Sequence, residues 1–223
     1  VQERILLIET STSVCSIALA QADTLLAYKE LPEPRMHSAL LAPLIQELLQ
    51  EQGLHISDCN AIAVSEGPGS YTGLRVGVST AKGLCFGSGK PLIAVNSLQV
   101  MAQNALDRLK DQALPLGCLI IPLMDARRME VYTASYRADG LEQICPPQPK
   151  IIDETSFREA CYQDKTLIFT GDAVEKCRPF LERAEAQFLP LAPTADGLRI
   201  AAFQAFIEQR FASLAYFEPC YLK

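Results

Sequence analysis

The sequence predicts an α/β protein with mixed sheets in two similar halves, and three observations carry that expectation. Short apolar runs rich in Ile, Leu and Val alternate with longer stretches whose leucines recur at helical spacing. A glycine-rich turn, SEGPGSYTGLRVGVSTAKGL at 65–84, joins one such run to a helix. The alternation then restarts beyond residue 112 in a shorter second round.

In chain order, RILLIET (4–10), VCSIALA (14–20) and TLLAYKEL (24–31) are three strands joined by small polar turns, the pattern of an antiparallel meander. HSALLAPLIQELLQEQG follows, with Leu40, Leu41, Leu44, Ile45, Leu48 and Leu49 on one helical face and Gly53 as its stop. Pro43 belongs in the first turn of that helix or kinks it. A strand near 60–65, the glycine turn, a helix to Ser88 and a strand at 91–95 come next. Ser97 is placed to cap a helix over 98–109. In the second round CLIIPLMDA, EVYTASYR and TLIFTGDA read as strands, with helical stretches near 153–161 and 173–185 and a last amphipathic helix over 196–211. Pro146, Pro147 and Pro149 read as a connection, because proline removes a ladder hydrogen bond. Two domains follow, 1–100 and 101–223, the last helix free to pack back on the first.

Composition narrows the function classes. With 49% hydrophobic and 21% charged residues, 223 residues suffice for a real core. No run reaches the roughly 18 apolar residues of a membrane helix. The first residues, VQERILLIE, read as a strand rather than a signal peptide. The net charge of −6 repels a polyanion, so a nucleic-acid role is expected only through a partner. Eight cysteines, none closer than 16 residues to the next, form no C-x-x-C motif and suit a reduced, cytoplasmic setting.

The glycine turn fits neither standard phosphate fingerprint. After Gly67 and Gly73 come Leu74-Arg75 where a P-loop needs Lys-Ser/Thr, and Gly67-x-Gly69 is followed by Gly73 one residue too late for a dinucleotide loop. Gly73, Gly77 and Ala81 recur every four residues as a stripe. A helical glycine costs about 1 kcal/mol relative to alanine, so two of them call for a compensating close approach, internal or to a partner. His37 and His55 stand 18 residues apart and make no zinc pair, so no metal site is expected. No G-x-S-x-G elbow is present either. Glu9, Thr10, Ser11, Thr12 and Ser13 fill the first hairpin turn, either as phosphate-holding groups or as an ordinary polar turn. Asp125, Arg127 and Arg128 stand in the mirrored turn of the second half.

Together ILLIETSTSVCSIAL, HSALLAPLI, the glycine turn, PLIAVNSL, DARRMEVYTASY, TGDA and the closing PCYLK resemble the bacterial TsaB family, also called YeaZ. The resemblance implies a two-domain actin-like, sugar-kinase or heat-shock-70-like (ribonuclease-H-like) fold and a cytoplasmic role in making threonylcarbamoyladenosine in tRNA. In that pathway the transfer chemistry belongs to the paralogue TsaD, whose metal-binding H-x-x-x-H this chain lacks. TsaB is then a non-catalytic partner of TsaD, joined by the ATPase TsaE, with a homodimer as the other use of the same surface. An ATP-dependent phosphotransferase of this fold is the alternative, which needs a catalytic acid and glycine-bearing phosphate turns. A metalloprotease, suggested by an old superfamily label, needs the missing histidine pair.

The family pairs through the helix starting at His37 and the helix after the glycine turn. That makes His37, Leu41, Leu44, Leu48, Tyr71, Gly73, Leu74, Arg75, Gly77, Val78 and Ala81 the expected partner-binding set. Burying four of its leucine or valine side chains would contribute about 6–12 kcal/mol before association costs. Leu74→Glu is the expected pairing-defective variant. Glu9, Ser11, Thr12, Asp125 and Gly171 are the expected remnant of a nucleotide site, with ATP or ADP bound weakly or only at a composite site. Arg35, Arg75 and Lys82 would approach tRNA once the complex forms.

Overall fold

The computed structural model describes residues 3–31 and 37–222, the side chain of His37 excepted. The chain divides into two compact units, 1–100 with 193–221, and 101–192. Residues 193–221 belong to the first unit, because the last helix packs on the first sheet.

Unit 1 is built on β1 (Arg4–Glu9), β2 (Ser16–Gln21), β3 (Thr24–Glu30), β4 (Ala61–Gly67) and β5 (Leu92–Asn96), in the order β3-β2-β1-β4-β5. The first three strands form the expected antiparallel meander, and β4 and β5 add parallel to β1. Strand period 2 sorts the side chains into two cores. Leu6, Ile8, Ile17, Leu19, Ile62 and Val64 face α1 (His37–Glu51) and α2 (Tyr71–Ser88). The alternate residues Ile5, Leu7, Ala18, Ala20, Ala61 and Ala63 face the C-terminal segment. The alanines on this second face leave room for Ala195, Leu198, Ala202 and Ala205.

Unit 2 repeats the arrangement. Its strands β6 (Leu119–Asp125), β7 (Glu130–Arg137), β8 (Gln143–Ile151), β9 (Leu167–Thr170) and β10 (Ala186–Leu189) lie in the order β10-β9-β6-β7-β8. Read from the other edge, this is the order of unit 1: an antiparallel meander followed by two parallel strands. The doubled five-stranded motif is the actin-like α/β class.

Several local expectations are corrected. The segment with Pro146, Pro147 and Pro149 is strand β8, not a connection; it pairs only with β7, and an edge strand tolerates prolines whose missing N–H would face outward. Residues 153–161 do not form a helix. The Asp153 carboxylate accepts from the Thr155 N–H at 2.9 Å and the Ser156 hydroxyl at 3.1 Å, and that turn outcompetes a helical start. The helix expected over 173–185 is α4 (Val174–Leu181), and the one over 196–211 is α5 (Arg199–Ile207) after a 3-10 turn. Pro43 falls in the second turn of α1, on its exposed side. The cap of α3 (Ser97–Arg108) comes from Asn96, whose Oδ1 accepts from the Leu98 N–H at 3.0 Å; the Ser97 hydroxyl instead accepts from the Gly67 N–H at 3.1 Å.

Candidate functional site

The first turn of the fold, between β1 and β2, is buried and closed from outside by α2. Glu9, Thr10, Ser11 and Thr12 are all buried. The Ser11 N–H donates to Glu9 Oε1 at 2.6 Å and the Val14 N–H to Thr12 Oγ1 at 3.3 Å, so two amides of the turn are satisfied internally. The glycine loop lies directly against it. The Ser70 N–H donates to the Ser11 carbonyl at 2.6 Å, and the Ser70 hydroxyl caps α2 by accepting from the Gly73 N–H at 3.3 Å. A Cβ on Gly69 would fall on the Ser11 carbonyl, one on Gly73 on the Thr10 carbonyl, and one on Gly77 on the Thr10 hydroxyl. The stripe Gly73–Gly77–Ala81 thus serves close approach inside the fold, where α2 backbone seats on the turn.

This packing decides what the turn can hold. A phosphate cradle needs outward-pointing amides and open space before them. Here two of the amides are taken and the space before the turn holds α2, so the residues present do not fit a nucleotide phosphate at this turn. Glu9 Oε2, Thr10 Oγ1, Ser11 Oγ and Ser65 Oγ are sealed without a hydrogen-bond partner. Burial pushes the Glu9 carboxyl above its ordinary range, opposed by the Ser11 and Ser65 hydroxyls and the Ser11 amide.

The corresponding turn of unit 2, between β6 and β7, is open and closed by charge. Lys176 on α4 forms an ion pair with Asp125 and also donates to the Arg128 and Glu130 carbonyls, both at 2.9 Å. The Arg127 N–H donates to Asp125 at 2.9 Å, and Arg127 and Arg128 adopt the left-handed region at φ 73° and 50°. Partial burial pushes the Asp125 carboxyl up, but the Lys176 ammonium and Arg127 hold it below its usual range. Gly171, at φ 127°, is buried, and a Cβ there would fall on the Leu123 carbonyl and within 2.6 Å of the Met101 sulfur. Gly171 is therefore accounted for by packing within unit 2, and Asp125 by its lysine. Glu9, Ser11 and Thr12 in unit 1 and Asp125 and Gly171 in unit 2 are each occupied by their own unit.

The expected partner-binding set separates into two groups. Leu41, Leu48, Leu74 and Val78 are core residues of unit 1, and Gly73, Gly77 and Ala81 are buried beside them. The area they would have offered a partner is already spent inside the fold. Leu74→Glu would accordingly put a carboxylate into the core and cannot serve as a pairing test. Leu44 is half-buried, while Tyr71 and Arg75 are at the surface. The His37 side chain and Arg35 lie outside the described residues.

Around Tyr71 and Arg75 the surface has its own construction. The Arg75 guanidinium lies 4.2 Å from the centre of the Tyr71 ring, and the Tyr221 ring packs on Tyr71 at 5.1 Å. Lys82 donates to the Phe217 carbonyl at 2.9 Å, and the Cys220 N–H donates to the Glu66 carbonyl at 2.7 Å, so the C-terminal segment is tied along α2. A concavity of about 410 Å³ lies between them, lined by Arg75, Val78, Ser79, Lys82, Phe217 and Tyr221 among others. On the same helix Phe86 is 85% exposed. Tyr221, Phe217 and Phe86 were not among the expected site residues. The signal for Phe217 and Tyr221 was the aromatic spacing of AYFEPCY, which resembles an ordinary tail until α2 is seen beneath it, and Phe86 carried none.

Known proteins match this chain along most of its length. A family model described as TsaD, tRNA N6-adenosine threonylcarbamoyltransferase, fits residues 31–206. The chain is 33% identical to the tRNA threonylcarbamoyladenosine biosynthesis protein TsaB of Escherichia coli K12, covering 99% of this chain and 94% of that one. It is 38% identical to TsaB of Bacillus subtilis 168 over 75% of this chain and 70% of the other. A crystal structure from Pseudomonas aeruginosa, of an uncharacterized protein with similarity to peptidase YEAZ, superimposes with a TM-score of 0.83 at 27% identity, covering 99% and 100% of the two chains. With relatives matched nearly end to end and the fold matched along its whole length, the chain belongs to the TsaB (YeaZ) family.

Proposed function

We propose that this chain is a non-catalytic subunit in the making of threonylcarbamoyladenosine in tRNA, pairing with a TsaD-type transferase and, through it, with TsaE. The observation that carries the reading is the sealed β1–β2 turn: the place where a phosphotransferase of this fold would grip phosphate is filled by α2. What α2 leaves outside is a surface suited to contact, with Tyr71 55% exposed, its cation–π partner Arg75, and Tyr221 packed beside them. Tyrosine and arginine are the residue types in which binding energy concentrates at interfaces. The names of the relatives and of the family model support the pathway and the partner.

On this reading nucleotide, where the complex uses it, sits on a partner or a composite site, and tRNA is met only in the complex. The same surface offers a second copy of this chain a place to pair when the partner is absent. No helix among the described residues is long and apolar enough to cross a membrane.

The test is titration of the cognate TsaD against wild type, Tyr71→Ala and Arg75→Glu. Each variant should bind at least about tenfold more weakly, as a hot-spot loss above roughly 1.4 kcal/mol requires, with an unchanged circular dichroism spectrum. Wild-type affinity in both variants would overturn the proposed surface. In a reconstituted assay with TsaD and TsaE, modification should depend on this chain and survive Glu9→Gln; loss of modification in an assembled Glu9→Gln complex would overturn the non-catalytic reading.

A further inference from the structure

A second feature lies in unit 2, at the end of its sheet where β9 and β10 begin, opposite the end that carries Asp125 and Gly171. A concavity of about 350 Å³ opens there, floored by the buried rings of Phe157 and Tyr162. Three loops bring cations to it: Arg158 after β8, Lys165 before β9, and Arg183 between α4 and β10. Asp164 and Glu185 also line it. In a chain of net charge −6, three cations and two carboxylates line this concavity.

The cations are not used by the fold. Among the described residues, neither Arg158, Lys165 nor Arg183 makes an ion pair or a side-chain hydrogen bond, although two carboxylates stand on the same wall. The Nη2 of Arg183 is moreover sealed from solvent with no acceptor. Burial and the like charge of Arg158 make the protonated guanidinium harder to keep, and the nearby carboxylates of Glu185 and Glu159 offset this only in part. A sealed charged donor atom without an acceptor is among the costlier arrangements in a protein, and the like charge of Arg158 adds repulsion to it. An anion with several acceptor oxygens, seated in the concavity, would pair with the cations that line it and offset their mutual repulsion.

We infer that this concavity is a binding site for a phosphate dianion, free or as the monoester of a small molecule, held by Arg183, Arg158 and Lys165. A carboxylate has two oxygens and one charge, which a single guanidinium fork satisfies. Three converging cations against two carboxylates favour the greater charge and the tetrahedral set of oxygens of a phosphate. Arginine forks supply paired, directed hydrogen bonds and lysine a point charge, the mixture by which proteins hold terminal phosphates. The apolar floor of Phe157 and Tyr162 keeps the local dielectric low and strengthens each contact. The site owes nothing to the β1–β2 or β6–β7 turns and stands whether or not the proposed pairing does.

The experiment is phosphorus NMR and calorimetric titration of the full chain with three probes: inorganic phosphate, methyl phosphate and dimethyl phosphate. Inorganic phosphate or methyl phosphate should bind saturably with Kd at or below about 1 mM. Binding should strengthen from pH 6 to pH 8 as the second proton, with pKa near about 6, leaves a monoester. The monoanionic diester, which carries the charge of an RNA backbone unit, should bind at least tenfold more weakly. Preference for inorganic phosphate over methyl phosphate identifies the free ion as the occupant, and the reverse identifies an ester. Arg183→Gln and Lys165→Gln should each weaken binding at least tenfold, while Arg178→Gln, whose arginine is already paired with Glu175, should not. Lys165→Gln keeps the test decisive if Arg183→Gln misfolds. No saturable binding by either dianion, equal binding of the diester, or unchanged binding in Lys165→Gln and a folded Arg183→Gln would each overturn the inference.

Discussion

The β1–β2 turn of unit 1 and the β6–β7 turn of unit 2 occupy the same place in two sheets of the same strand order, and they are closed by different means. In unit 1 closure is by close packing: Gly69 before α2 and Gly73 on it meet the Ser11 and Thr10 carbonyls, Gly77 meets the Thr10 side chain, and a buried glutamate ends the strand. In unit 2 closure is a side-chain clamp at the surface, Lys176 of α4 reaching Asp125 and two carbonyls. The difference teaches that one architecture can close the same turn in two ways. A glycine seat is deep, insensitive to salt and intolerant of a single methyl group. An ion pair is shallow, screened and readily replaced.

The sharpest break of that comparison is on α2 itself. Gly73→Ala puts a Cβ onto the Thr10 carbonyl, a backbone atom that cannot swing away, so overpacking should destabilise by about 2–3 kcal/mol. Gly83→Ala, ten residues along the same helix with nothing within 4 Å of its Cβ, should instead stabilise by about 0.5–1 kcal/mol through helix propensity. Urea denaturation of the two variants reads both signs. Equal stability of Gly73→Ala and wild type would show that the seat is not a backbone contact.

The next effect is smaller and depends on pH. Burial raises the Glu9 carboxyl in the folded chain, whereas the unfolded chain titrates near about 4.3. Between those two values the native state binds more protons than the unfolded state, so Glu9 makes stability fall as pH rises through that window. Glu9→Gln keeps an oxygen for the Ser11 N–H and removes the charge that burial disfavours. It should be more stable than wild type by about 1 kcal/mol at pH 8 and match it below pH 4. A variant less stable than wild type at pH 8 would mean that the Ser11 and Ser65 hydroxyls and the Ser11 amide stabilise the charged carboxylate more than burial disfavours it.

Much of this was legible from local pattern. The meander β1–β3, α1 and α2 with its stop before Gly89 follow from alternation, leucine spacing and a left-handed glycine cap at φ 67°. Strand β8 was not legible, because its prolines argue against any strand but an edge one, and being an edge is a property of the sheet. The site was read less well than the fold. Gly73, Gly77 and Ala81 mark a close approach in sequence, but the spacing is the same whether the approaching backbone is a partner's or the chain's own. Leu74 and Val78 alternate with that stripe, and only the finished packing shows that α2 is covered on both sides, leaving Tyr71 and Arg75 outside. Glu9, a carboxylate at the end of an apolar strand, reads as a turn residue until Gly73 is seen against the Thr10 carbonyl beside it and the turn is buried.

The smallest expected effect tests the other half of the comparison. Asp125→Asn removes the charge that Lys176 clamps while keeping the shape of the turn. The folded Asp125 carboxyl sits below its unfolded value of about 3.9, so its contribution is fully present above that value and is lost as pH falls through the folded one. The Asp125 side chain is 50% exposed, so solvent screening keeps the contribution to about 0.5–1 kcal/mol. At pH 7 the variant should therefore be slightly less stable than wild type, with the gap closing toward pH 2 and also in about 1 M salt, where the Debye length shrinks to roughly 3 Å. Glu9→Gln should show neither the salt dependence nor this direction with pH, since its carboxyl is sealed from ions and raised rather than lowered. If Asp125→Asn were insensitive to salt, the clamp would owe its strength to the two carbonyls on Lys176 rather than to the ion pair. The unit 2 turn would then be closed, like its counterpart, chiefly through backbone groups.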